Sequence, residues 1–91
     1  MLKIRVHNKF KKDLKLISNR GYDEEKLWAI VEQLANGISL PPKNRDHALT
    51  GNYVGCRECH IEPDWLLVYE IQKDELILLL IRTGTHSDLD F

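Results

Sequence analysis

Residues 2–7, Leu-Lys-Ile-Arg-Val-His, alternate apolar and polar, the pattern of a half-buried strand. His7 falls on the polar side, at the strand's end. Asn8 is then in place to cap a helix. In that helix Phe10, Leu14 and Ile17 recur at helical spacing with Leu16 beside them, and lysines fill the rest of the arc. Arg20-Gly21 supplies a glycine stop. Asp23 caps a second helix, with Glu24 and Glu25 in its first turn, where the helix dipole favours acids. Leu27, Ile30, Val31 and Leu34 make its apolar stripe, with Trp28 and Ala35 at the edge. Trp28 reads as a core residue. Asn36-Gly37 closes the helix.

A proline-containing connector, residues 40–46, cannot continue a helix. Three strands are predicted after it, over residues 53–61, 65–72 and 75–82. Glu62-Pro63-Asp64 and Lys73-Asp74 form the turns between them. The last strand is apolar on both faces, which predicts a central place in the sheet. The order β-α-α-β-β-β predicts an α+β fold: a two-helix hairpin packed on one small antiparallel sheet. At 91 residues the chain, 1–91, is read as a single domain.

Composition narrows the class without changing this picture. The chain is 43% hydrophobic and 30% charged, which suits a globular domain. No apolar run approaches the roughly 20 residues of a membrane span, and the N-terminus lacks a signal-peptide pattern. The expectation is a cytoplasmic protein that does not engage a membrane. Net charge is −1, but it is unevenly spread. Residues 1–20 carry seven Lys and Arg against one acid, Asp13, whereas the rest is net acidic. Lys9, Lys11, Lys12 and Lys15 thus form either a basic face for a polyanion or the solvated side of a helix.

Cys56 and Cys59 have C-x-x-C spacing but lie in a predicted strand, where positions three apart face opposite ways. They are read as free thiols rather than a redox pair or zinc ligands. No metal or other cofactor is expected.

Candidate chemistry comes from the strand order. Consecutive hairpins bring His60, Asp64, Trp65, Arg82 and His86 to one end of the sheet, within reach of His47 in the preceding loop. Imidazoles whose unperturbed pKa is ~6.5 suit proton transfer. A guanidinium forks onto phosphate oxygens, and an aromatic ring stacks a base. The set supplies an acid, a base and a cation for cleavage of an RNA phosphodiester, whose 2′-hydroxyl is its own nucleophile. A zinc site lacks the usual helical ligand spacing. Surface histidines beside an ordinary Arg–Asp ion pair remain an equal reading of the spacing alone.

The wording of three segments goes further. Asp46-His47-Ala48-Leu49-Thr50-Gly51, residues 57–69 (Arg-Glu-Cys-His-Ile-Glu-Pro-Asp-Trp-Leu-Leu-Val-Tyr) and Arg82-Thr83-Gly84-Thr85-His86-Ser87 together resemble the YafQ branch of the RelE/ParE toxin superfamily. The resemblance covers nearly the whole chain. It implies a type II toxin that cleaves mRNA on the translating ribosome and is silenced by a cognate antitoxin, touching operator DNA only through that complex. It also implies that His47, His60, Asp64, Arg82 and His86 occupy active-site positions. His86 is then expected as general acid, Asp64 or His60 as base, and Arg82 as transition-state cation. His47 would position phosphate or move a proton. Trp65 and Phe91 are expected to stack on bases, although Phe91 follows His86 by one residue more than in relatives. Lys9, Lys11, Lys12 and Lys15 would meet the RNA or ribosome. A ribonuclease independent of the ribosome, a ParE-like topoisomerase inhibitor and a non-catalytic homologue acting in a repressor complex are the competing readings.

Overall fold

A computed structural model describes residues 1–90. Its elements are β1 (Lys3–Val6), α1 (Asn8–Asn19), α2 (Glu24–Ala35), β2 (His47–Ala48), β3 (Arg57–Glu62), β4 (Trp65–Gln72), β5 (Ile77–Gly84) and α3 (His86–Leu89). The five strands form one sheet in the order β1-β5-β4-β3-β2. β3, β4 and β5 pair as antiparallel hairpins and β5 is interior, as its two apolar faces predict. The sheet is nevertheless mixed. β1 pairs with β5 in parallel, Lys3 opposite Ile77 through Val6 opposite Leu80. The expectation of a purely antiparallel sheet is corrected here. Alternation shows which face a strand buries, but nothing about its neighbour's direction.

Local chemistry accounts for the helix ends. Asp23 caps α2 by accepting from the Glu25 amide at 3.0 Å. α1 is capped one residue earlier than predicted: His7, not Asn8, accepts from the Lys9 amide through Nδ1 at 3.1 Å. Residues 53–56, predicted as strand, instead form a turn that includes Tyr53, so β3 starts only at Arg57.

The main core lies between the helices and one face of the sheet. Phe10 and Ile17 of α1 and Leu27, Val31, Leu34 and Ala35 of α2 pack on Cys59, Trp65, Leu67, Tyr69, Leu78 and Leu80. Trp28 is not in it. Its ring is partly exposed and meets Phe10 edge-on at 6.3 Å. Cys59 is buried in this layer, and burial pushes its thiol up to about 12. Cys56 belongs to the opposite face, and both cysteines are free thiols. Among the described residues, no helix is long and apolar enough to cross a membrane.

The other face of the sheet is covered differently. Leu66, Val68 and Leu89 are buried there, with Leu49, Tyr53, Cys56 and Ile81 packed around them. The cover comes from the loop around β2 and the four-residue α3, not from α1 or α2. This face is where the polar groups gather.

Candidate active site

Strand register aligns the site. His47 of β2 pairs with Glu58 of β3, Glu58 with Val68 of β4, and Val68 with Arg82 of β5. Partners across a sheet share a face, so these residues form one row over the second core. The next row runs His60, Leu66, Gly84. A bulge in β5 breaks the register after Leu80, leaving Ile81 unpaired and re-aiming Arg82. Neighbouring strands lie about 4.8 Å apart, so Arg82 stands roughly 10 Å across the sheet from Glu58.

Each of three histidines is tied by Nδ1. The His47 Nδ1 lies 2.6 Å from the Arg45 carbonyl, and the His60 Nδ1 lies 3.2 Å from the Pro63 carbonyl. The His86 Nδ1 lies 2.5 Å from Asp64 Oδ1. Carbonyl and carboxylate oxygens only accept, so each Nδ1 carries a hydrogen and donates it. Nε2 is thereby the atom that each ring offers for proton transfer. The rings of His60 and His86 have centroids 5.6 Å apart.

Glu58 is the residue that sequence reasoning missed. Its side chain is only 7% exposed, yet it sits 3.6 Å from His47 Nε2 and 3.8 Å from His60 Nε2. A carboxylate this buried is costly without donors or cations. Protonation of either imidazole supplies one. The signal was available, because Glu58 and His60 are two apart in a strand and therefore share a face. Asn44, also buried, donates from Nδ2 to the His60 carbonyl at 2.6 Å and fixes β3 at this point.

The loop carrying His47 is pinned through Asp46. Asp46 accepts from Tyr69 Oη at 2.5 Å and from Arg57 Nε at 3.1 Å. Arg45, at φ 47° in the left-handed region, ends the preceding turn and aims its carbonyl at His47.

Asp64 and His86 form a unit. Asp64 Oδ1 accepts from the His86 backbone amide at 2.9 Å and from its ring. The backbone amide first, then the imidazole, hold the Asp64 carboxyl below the usual carboxylate range. A carboxylate so engaged is a poor base and a good orienter. Arg82 donates through Nε and Nη2 to Asp13 of α1, at 2.6 and 3.1 Å. That pair keeps its guanidinium firmly charged, with the Tyr53 phenol beside it.

The sequence-predicted residues therefore separate. His47, His60, Asp64 and His86 gather with Glu58 at one end of the face opposite α1 and α2. Arg82 shares that face but faces Asp13. Trp65, expected to stack on a base, is corrected: it is fully buried on the helix side. Its Nε1 donates to Thr83 Oγ1 at 2.9 Å, and its ring meets Tyr22 edge-on at 5.1 Å. Lys9, Lys11, Lys12 and Lys15 are all exposed on α1. Phe91 lies outside the described residues.

Residues 2–90 match the family described as bacterial toxin of type II toxin–antitoxin system, YafQ. The chain is 38% identical to the mRNA interferase toxin YafQ of Escherichia coli K12, over 94% of this chain and 92% of that protein. Among solved structures, a metal-bound toxin from Helicobacter pylori is similar at 47% identity and a TM-score of 0.92, covering 98% of this chain and 99% of the other. The E. coli DinJ–YafQ complex is similar at 37% identity and a TM-score of 0.88, covering 98% of both chains. Among the described residues of the present chain, no three of His, Cys, Asp and Glu converge as a metal centre would require.

Proposed function

The chain belongs to the YafQ family of bacterial type II toxin–antitoxin toxins, and on that premise we propose that it is an endoribonuclease that cuts mRNA on the translating ribosome using side chains alone. One observation carries the reading. His60 at the end of β3 and His86 just after β5 meet at one end of the sheet, with ring centroids 5.6 Å apart, and each is tied through Nδ1. Two such rings can place both Nε2 atoms within hydrogen-bond reach of one phosphate.

The steps follow from that placement. His60 Nε2 takes the proton from the 2′-hydroxyl as its oxygen attacks the adjacent phosphorus. Glu58 lies 3.8 Å from that same Nε2 and stabilises the imidazolium that forms; His47 shares that carboxylate. His86 Nε2 gives a proton to the departing 5′-oxygen. Asp64 holds His86 in the required tautomer and orientation, which leaves His60 rather than Asp64 as the base. Arg82 adds positive charge against the pentacoordinate phosphorus. The products are a 2′,3′-cyclic phosphate and a 5′-hydroxyl.

Substrate presentation falls to other surfaces. The exposed lysines of α1 meet the ribosomal or messenger polyanion, an interaction that weakens with salt. The E. coli YafQ toxin has been solved in complex with DinJ. A cognate antitoxin is likewise the partner proposed for this chain, and contact with operator DNA comes only through that complex. A topoisomerase-blocking or purely structural role gives the histidine cluster nothing to do.

The test is to induce the chain in cells and map mRNA 5′ ends. Cuts in register with the reading frame, confined to translated messages, are expected. Cuts without frame, or equally in untranslated RNA, would contradict dependence on the ribosome.

A further inference from the structure

Asp13 is the one acid among the first twenty residues, and Arg20 is the residue that ends α1. Seven residues separate them, about 10 Å along the helix. Neither forms its ion pair with a sequence neighbour. Asp13 pairs with Arg82 and Arg20 pairs with Asp88, positions 69 and 68 residues away. Both pairs are two-pronged. Arg82 donates Nε and Nη2 to the two Asp13 oxygens. Arg20 donates Nη1 and Nη2 to the two Asp88 oxygens, at 2.7 and 3.1 Å. Both end on the single segment, 82–88, that carries Arg82 and His86.

Two local facts show what the pairs hold. β1 stops pairing at Val6 opposite Leu80, so the edge of β5 beyond that point has no strand beside it. Asp13 Oδ2 takes that place and accepts the Thr83 amide at 3.2 Å. The side-on edge of the Arg82 guanidinium is thereby fixed to α1. The Tyr53 phenol interacts with the same guanidinium.

At the other end, α3 has four residues, far fewer than a helix needs to persist unaided. It is held by a capping box: Thr85 Oγ1 accepts the Asp88 amide, and Asp88 Oδ2 accepts the Thr85 amide. The same Asp88 Oδ2 also accepts from Arg20 Nη1. Gly84 makes room for the Asp88 side chain. A Cβ there would stand 2.9 Å from Asp88 Cβ, too close to keep this geometry. His86 is the first residue of α3, so its ring is held by Asp64 and its backbone by the capping box that the Arg20–Asp88 pair fixes.

Resting on the ribonuclease reading, we propose that Asp13 and Arg20 are positioning residues of the cleavage reaction, α1 clamping both ends of the 82–88 segment. The exposed Arg20–Asp88 pair contributes little to stability, whereas the Asp13–Arg82 pair is part-buried and contributes more. Misplacing a reacting group by about 1 Å costs on the order of 100-fold in rate. The effect of breaking the Arg20 arm should therefore appear in turnover, not in folding, and Asp13→Asn is compared below its own melting temperature.

The experiment measures cleavage of ribosome-bound mRNA by the full chain and by Arg20→Gln, Arg20→Lys and Asp13→Asn. Thermal unfolding and the His86 ring resonances are recorded on the same samples. Arg20→Gln and Asp13→Asn should each lower kcat by roughly 10- to 100-fold, with KM within about threefold. Arg20→Lys, which keeps the charge, should recover most of the loss. Arg20→Gln should also move the His86 ring signals while leaving those of His47 in place. Turnover like the parent's in folded Arg20→Gln and Asp13→Asn would overturn the clamp and leave the ribonuclease reading standing. A parent chain that cuts no RNA, with His86 still shifted in Arg20→Gln, would instead contradict the ribonuclease reading while the clamp stood.

Discussion

The His86→Ala chain will cleave mRNA at least ~100-fold more slowly than the parent, and its expression will no longer arrest growth. Two separate losses combine in this one substitution. The proton donor for the 5′-oxygen disappears, and Asp64 loses the ring that occupies its Oδ1. The fold should be untouched. His86 is partly exposed, its backbone amide still reaches Asp64 at 2.9 Å, and the Thr85–Asp88 capping box does not involve its ring. Cleavage kinetics on ribosome-bound mRNA and a thermal melt of the same protein check both halves. His86→Gln is a gentler version. Its side chain offers neutral hydrogen bonds but cannot exchange a proton near neutral pH, so it should be nearly as slow. A folded His86→Ala protein with parental turnover would remove this residue from the mechanism.

Trp65→Ala will damage stability far more than it damages chemistry. The indole is fully buried, packs on Tyr22, and donates to Thr83, which in turn donates to the Leu66 carbonyl at 2.7 Å. Truncating a buried tryptophan costs about 3–5 kcal/mol. A domain of this length has about 5–14 kcal/mol in total, so the variant should melt roughly 15–30 °C lower. Trp65→Phe keeps the ring and loses the hydrogen bond, at about 1–2 kcal/mol. It should cut RNA at the parental rate below its melting temperature. The contrast separates packing from base stacking. A platform for a base would lose kcat/KM in Trp65→Phe with no change in melting.

Trp65 also shows where sequence reasoning reaches its limit. Its place at the turn beside Asp64 suggested a ring at the site's edge. Period-two alternation puts Trp65 on the same face as Leu67 and Tyr69, which is the helix-covered face. Proximity along the chain points to the site, but the strand face decides where the ring lies. The same rule, applied to Glu58 and His60, would have brought Glu58 into the site. What the pattern conveyed well was local: the two helices with their apolar stripes, the three hairpin strands, the interior place of β5, and the gathering of His60, Asp64 and His86 at one end of the sheet.

What the pattern could not convey was non-local. The parallel pairing of β1 with β5 joins residues more than seventy positions apart, and no alternation records it. The bulge that re-aims Arg82 has no residue signature in Leu80-Ile81-Arg82. The Asp13–Arg82 pair follows from both, because α1 meets the free edge of β5 only where β1 ends. Asp13 did stand out as a lone acid among lysines. Its partner could be found only in three dimensions. The lysines are exposed on α1, which fits both a basic face for a polyanion and a merely solvated one.

In the proposed mechanism RNA supplies its own nucleophile and the histidine cluster only moves protons. A message carrying a single 2′-deoxynucleotide on the 5′ side of a mapped cut site tests it directly. The expected result is cleavage of the all-ribose message to a 2′,3′-cyclic phosphate, undiminished by a chelator of zinc and copper, and no cleavage at the substituted position. Cleavage at the deoxynucleotide, yielding a 5′-phosphate, would show that water or another nucleophile attacks the phosphorus and would contradict the mechanism.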